Sequence, residues 1–309
     1  MKKAKLTAIF LAFTMLLSAC GGSSSASQPA ASAPAEAAIT FTDMLGREIA
    51  LDEPATRVIA LSAADCEIIY ALGAESVLVG RGEYCDWPAE VLDLPAVASG
   101  SETNIEQILA LQPDVLLMAD MAQTEEQVAQ LENAGITVVV SDADDVNGVY
   151  QSITNTGTML GKDTEADALV TSMQDTFAAL EKNADDCEKT VYFEVSPLQY
   201  GLWAAGADTF MNEVAEMMGL TNIFADVSGW CEVSEEQVIE RAPDFIVTVS
   251  MYVGEGPTPE EELLSRTGWS TIPAVQNNKI LNLANNELSR PGPRLADGAQ
   301  ALFDFITAP

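Results

Sequence analysis

The chain has 309 residues, 48% of them hydrophobic, with 14 basic side chains against 47 acidic ones and no histidine. A formal charge of −33 repels nucleic acid and anionic lipid surfaces. The missing imidazole removes the commonest zinc ligand and the usual base of a hydrolase triad together.

Lys2, Lys3 and Lys5 precede an apolar stretch from Leu6 to Leu17 that ends in Leu17-Ser18-Ala19-Cys20. A basic start, a short apolar run and a small residue before the cleavage point mark residues 1–19 as a secretion signal. The terminal motif resembles the lipobox of bacterial lipoproteins, in which the cysteine becomes the acylated first residue, so lipid is expected on Cys20. Residues 20–38, made of Gly, Ser, Ala, Pro, Gln and Glu after the cysteine, cannot bury a core and read as a flexible linker. Losing the signal removes three lysines and no acid, which leaves 11 basic against 47 acidic residues and a net charge of −36. No later stretch is apolar for long enough to span a bilayer. The expected location is the extracytoplasmic face of the cell membrane, held by lipid.

The remaining chain is long enough for two ordinary α/β lobes. In the first, residues 39–162, an alternating hairpin turns around Leu45-Gly46 and is followed by a buried strand at residues 57–61. A helix then runs over Cys66 to Leu72, further strands cover residues 77–79, 115–118 and 136–140, and a helix lies near Glu125 to Asn133. From Asp163 to Asn183 apolar residues recur at 166, 169, 170, 173, 177 and 180 with no glycine or proline, which predicts one long interlobe helix within residues 163–184. As the only link between the lobes, it would act as a stiff strut. The second lobe, residues 185–309, has strands near residues 190–195, 245–247 and 280–283, and helical stretches near 210–218 and within 230–241. A rigid turn, Arg290-Pro-Gly-Pro-Arg294, enters a closing helix.

One pattern occurs twice, 130 residues apart. Glu106-Gln107 stands seven residues ahead of Pro113-Asp114, and Glu236-Gln237 stands seven ahead of Pro243-Asp244. Each copy reads as a capped helix, with Asn104 or Ser234 at the cap and the glutamine reaching back to it, stopped by proline and followed by a buried strand. The molecule therefore has two similar halves.

These features together resemble the substrate-binding lipoproteins of ABC importers, and within them the ferric-siderophore and cobalamin (iron-complex) branch of the periplasmic binding proteins. Besides the lipobox and the long helix, the residues that carry the likeness are Phe41-Thr-Asp-Met-Leu-Gly-Arg47, Gly82-Glu-Tyr-Cys-Asp-Trp-Pro88, Asn104-Ile-Glu-Gln107, Trp230-Cys-Glu-Val-Ser-Glu-Glu-Gln237 and Arg290-Pro-Gly-Pro-Arg294. The resemblance implies two Rossmann-like lobes joined by a single long α-helix, of the class III periplasmic-binding-protein type. It also implies a monomer with no enzymatic activity, no cofactor and no metal of its own. Such a protein takes a metal chelate into an interlobe cleft and hands it to an ABC permease dimer. Glu106 and Glu236 match the positions that dock on the two permease subunits. Tyr84, Trp230 and Arg290 match cleft positions, and Trp87 stands where the family often has tyrosine. Arg81, Tyr200, Trp203 and Tyr252 are further ligand-binding candidates placed near strand ends. Where some cobalamin binders carry tryptophan, six residues before the first docking glutamate, this chain has Gly100. An iron siderophore, cobalamin, another corrinoid and haem all remain open.

Two other classes fit poorly. A receptor for bare zinc or manganese relies on histidine, and a secreted α/β hydrolase needs a Gly-x-Ser-x-Gly elbow with a histidine partner; neither pattern is present. Cys66, Cys85, Cys187 and Cys231 show no Cys-x-x-Cys spacing and read as four partly buried free thiols, although three pairings are open to them.

Overall fold

The computed structural model describes residues 39–99, 103–119, 124–184, 188–249, 256–284 and 286–308. The readings of the signal, Cys20, the linker, Gly100, Cys187 and Tyr252 lie outside the described residues. At the start, β1 (Ile39–Thr42) pairs antiparallel with β2 (Glu48–Leu51), and Gly46 turns the hairpin at φ 76°. A parallel sheet follows, built from β3 (Val58–Ala60), α1 (Ala63–Ala71), β4 (Leu78–Gly82), β5 (Ala96–Val97), α2 (Ile105–Leu111), β6 (Val115–Met118), α3 (Glu125–Asn133) and β7 (Thr137–Val140). Its strand order is β5-β4-β3-β6-β7. Val58, Ile59 and Ala60, like all of β6, are buried, as expected of strands covered on both faces.

The next helix, α4 (Val146–Leu160), is absent from the sequence reading because Gly148, Gly157 and five Asn and Thr residues interrupt its apolar pattern. Asp145 caps it by accepting the Gly148 amide at 2.6 Å, and Gly161 ends it in the left-handed region. Gly157 also permits close packing, since a Cβ there would lie 2.5 Å from the Ala166 methyl on the following helix. That helix, α5 (Asp163–Asn183), has the bounds its periodicity predicts. It is more than a strut. Its buried residues Met173, Phe177 and Leu180 belong to a core that includes Ile68 and Leu72 of α1 and Val149 and Ile153 of α4. The same core extends into the second half through Val191, Phe193, Leu295 and Leu302, so the two halves share packing as well as a covalent link.

The second sheet comprises β8 (Thr190–Ser196), β9 (Leu202–Ala205), α6 (Phe210–Met217), β10 (Thr221–Asn222), β11 (Trp230–Val233), α7 (Glu235–Arg241), β12 (Phe245–Thr248), α8 (Pro259–Ser265), α9 (Pro273–Gln276), β13 (Ile280–Asn282) and α10 (Leu295–Thr307). Its order is β11-β9-β8-β12-β13, with β10 beside β8. β9 runs antiparallel to both neighbours, which makes this sheet mixed where the first is parallel.

The sequence repeat has a structural cause. In each copy the helix ends on a left-handed residue, Gln112 at φ 51° or Ala242 at φ 44°, and proline follows. The aspartate then organises the first strand of its own sheet. Asp114 accepts the Thr56 amide and hydroxyl at 2.8 and 2.9 Å and the Arg57 amide at 3.1 Å. Asp244 accepts the Thr190 amide and hydroxyl at 2.9 and 3.0 Å. The caps differ. Ser234 and Gln237 form the full reciprocal box, whereas Gln107 turns its side chain to the Ala96 carbonyl at 2.6 Å and leaves only Asn104 capping. Asp114→Ala and Asp244→Ala should each lower stability by about 1–3 kcal/mol, with near-additive loss in the double variant because the sites share no partner. Urea titration of the three variants checks this, and strong non-additivity would contradict it.

Candidate functional site

In open α/β sheets ligands collect at the carboxyl ends of parallel strands. Here the loops leaving those ends meet across the molecule. The turn after β13 brings Arg290 and Arg294 onto Glu67 of α1, which is buried with only 2% of its side chain exposed. Arg290 Nη1 donates to Glu67 Oε1 at 3.0 Å and to Asp86 Oδ1 at 2.6 Å, and Nη2 donates to the Tyr84 carbonyl at 3.2 Å. Arg294 donates to both Glu67 oxygens, from Nε at 3.0 Å and from Nη2 at 2.6 Å, while its guanidinium lies 4.6 Å from the Trp87 ring centre. Gly292 lies against Ala64. Burial opposes the Arg290 charge, yet Asp86 and Glu67 outweigh it and hold the guanidinium above its usual range. Arg290 is thus occupied by an interlobe ion cluster.

A second junction lies at two helix starts. The first amide of α6, Phe210 N, donates to the Asp144 carbonyl at 2.7 Å, and the first amide of α4, Val146 N, donates to Glu213 Oε2 at 2.8 Å. Each helix therefore finds an acceptor for one of its unpaired amides in the opposite half. Burial raises the Glu213 carboxyl, Val146 offsets this in part, and the charges of Asp145 and Glu216 add to the rise. Phe210 also meets Trp230 edge to face, with ring centres 5.5 Å apart.

The candidate aromatics are exposed around these junctions. Tyr84 is 72% exposed because its loop is pinned from beneath. Cys85 is buried with its thiol toward the Ala60 carbonyl, and Arg81 donates to the carbonyls of Gly82, Glu83 and Cys85 at 3.0, 3.3 and 3.1 Å. Arg81 therefore braces this loop rather than projecting from it. Gly82 is required here, since a Cβ would sit 2.1 Å from the Leu61 carbonyl oxygen. Trp87, which follows a short turn, and Tyr200, which ends the turn after β8, are likewise exposed. Trp230 pairs with Ala205, and Trp203 pairs with Glu232. Alternation along strands puts both tryptophans on one face of β9 and β11, while Leu202, Ala204 and Val233 pack inward from the other. The sequence placed Trp203 only near a strand end; the unforeseen β9 makes it part of a ribbon with Trp230. Cys66 and Cys85 are fully buried rather than partly so, and Cys231 is intermediate.

Glu106 and Glu236 are both exposed, each the second residue of its helix, in equivalent places of the two halves. Its own amide and the Ser234 hydroxyl hold the Glu236 carboxyl below the usual range. Among the described residues no group of three or more His, Cys, Asp or Glu side chains could hold a metal ion.

Sequence reasoning passed over Glu67, Asp86, Arg294, Phe210 and Glu213. Asp86 and Arg294 lie inside the motifs given above, and two acids, Asp65 and Glu67, among the apolar residues of a buried helix were the signal for Glu67.

Asp65 on α1 is fully buried, and neither carboxyl oxygen makes a hydrogen bond of ordinary geometry. Burial is the largest influence; nearby Ser141 and Ser62 favour the ion, Asp142 opposes it, and the carboxyl is pushed up from 3.8 to about 7. A raised carboxyl favours the fold while neutral, so its contribution is full below pH 3.8 and is lost as pH rises through about 7. Asp65→Asn should match wild type near about pH 4 and exceed it by a margin that grows to a few kcal/mol by about pH 8. Denaturant titration of both proteins across that range measures the margin, and parallel pH profiles would refute the assignment.

Two α/β halves whose strand ends face one another, with exposed aromatic rings around the junction, define a two-lobed solute-binding protein. The sequence profile described as periplasmic binding protein matches residues 58–287, and the chain belongs to that family. It is 30% identical over 313 residues to the uncharacterized ABC transporter substrate-binding lipoprotein YvrC of Bacillus subtilis (strain 168), covering 99% of this chain and 97% of that one. It is 29% identical over 258 residues to the vitamin B12-binding protein of Pectobacterium carotovorum subsp. carotovorum (strain PC1), covering 82% of this chain and 88% of that one. Among solved structures it resembles an ABC-type Fe3+-hydroxamate transport system from Saccharomonospora viridis DSM 43017. That match has a TM-score of 0.73 and 28% identity, covering 87% of this chain and 99% of the other. The protein is an ABC-transporter substrate-binding protein and not an enzyme.

Proposed function

We propose that the protein captures a metal chelate, either an iron siderophore or a cobalamin-type corrinoid, between its two lobes. It delivers that chelate to an ABC import permease from the extracytoplasmic face of the cell membrane, anchored through lipid on Cys20. The observation that carries this reading is the set of exposed rings, Tyr84, Trp87, Trp203 and Trp230, on elements that flank the interlobe junctions. Large flat faces with few free charges suit a bulky chelate more than a bare ion or a small acid. The relatives named for vitamin B12 and for Fe3+-hydroxamate transport support the same class. Only one of the four tryptophans, Trp269, is fully buried away from this set. Titration with cyanocobalamin, ferrichrome and ferrioxamine should therefore quench a large share of the emission after correction for ligand absorbance. Trp230→Ala should weaken binding of the responding chelate without unfolding the lobe. No response to any chelate would remove this reading.

Glu106 and Glu236 serve as the permease contacts in this proposal. Their exposure at equivalent helix starts supports it, since a two-fold partner needs two equivalent handles. Alanine at both positions should leave chelate affinity as it is and abolish uptake in cells. Loss of affinity in parallel with uptake would instead assign them to the fold or the cleft.

A further inference from the structure

Beyond Lys5 the chain holds eleven basic residues. Only Arg81, Arg290 and Arg294 stand at the strand ends around the interlobe junction. Arg290 and Arg294 are both already paired with carboxylates, whereas, among the described residues, Arg81 has none and its Nε is buried without a hydrogen-bond partner. Arg81 turns its Nη1 to three carbonyls of its own loop and so lies along that loop. Arg294 is paired with Glu67, lies 4.0 Å from Glu287 and covers Trp87. Arg290 is shared between Glu67 and Asp86. Two guanidinium charges thus face three carboxylates, within a chain whose overall charge is already strongly negative.

The counter-ions are not equally displaceable. Glu67 is buried, whereas the Asp86 side chain is 45% exposed on the loop that carries Tyr84 and Trp87. An anionic ligand reaching Arg290 must displace Asp86, and the displaced carboxylate then remains close to the arriving anion. Such an arrangement discriminates by repulsion rather than by added attraction. Uncharged and cationic chelates incur no such penalty and still gain the aromatic surfaces.

We propose that this crevice takes uncharged or cationic metal chelates and rejects anionic ones, with Asp86 setting the discrimination by occupying Arg290. The inference rests on the chelate-binding reading above and narrows its ligand class. Equilibrium dialysis of the full chain against matched ferric chelates tests it. The uncharged trihydroxamate ferrichrome and the cationic ferrioxamine B are set against an anionic ferric tricatecholate, and uncharged cyanocobalamin is set against haemin with its two propionates. Wild type should bind its preferred uncharged or cationic member at least about tenfold more tightly than the anionic counterpart. Asp86→Asn should raise the ratio of anionic to uncharged affinity by about tenfold or more. In wild type, raising NaCl from about 50 to about 500 mM should favour the anionic chelate relative to the uncharged one by screening repulsion. Preference for an anionic chelate, or an unchanged ratio in Asp86→Asn, or the opposite salt trend, overturns the inference. If wild type binds anionic chelates well, the chelate-binding function stands and this inference alone falls. If it binds no chelate of any charge, both fall.

Discussion

Glu67 is a carboxylate removed from water and shared by two arginines that arrive from the opposite lobe. Burying such a group is expensive unless its lone pairs are filled, and here both oxygens accept guanidinium N–H bonds, Arg294 approaching in the two-point manner that suits this pairing. The requirement fixes more than one pair of residues. It holds the turn at residues 290–294 against α1, sets Arg294 over Trp87, and brings Arg290 to the carbonyl of Tyr84. The geometry of this side of the interlobe junction follows from satisfying one acid.

The two halves repeat their frames but not their inner surfaces. Asp114 and Asp244 perform the same task in each sheet, and α2 and α7 present a glutamate at the same helical position. Around the junctions the symmetry is lost. The first lobe offers a short loop held down by Cys85 and Arg81, while the second offers an antiparallel ribbon bearing Trp203 and Trp230. Equivalent outer glutamates with unlike inner walls are what the proposed contact with a two-fold permease and an asymmetric ligand would require.

Much of this was legible from local pattern. The periodicity within residues 163–184 marked α5, and the doubled Glu-Gln and Pro-Asp spacing announced two similar halves. What local pattern could not supply was anything decided by a distant partner. The glycines and threonines of α4 hid a helix that is held by its cap and by packing on α5. The reciprocal cap expected at Gln107 gave way to a carbonyl from β5, eleven residues earlier. Arg290 was singled out by motif, yet its counter-ions Glu67 and Asp86 lie more than two hundred positions away and no spacing rule connects them.

The reciprocal gift of amides between α4 and α6 has a mechanical meaning. Pulling the lobes apart at that point would strand Phe210 N and Val146 N together, so separation there is resisted twice over. A rotation of the lobes that kept both bonds would have to pivot at these two helix ends. Trp230, edge-on to Phe210, lies close to that pivot. The pairing of Arg290 with half-exposed Asp86 stays open to water, unlike its pairing with buried Glu67.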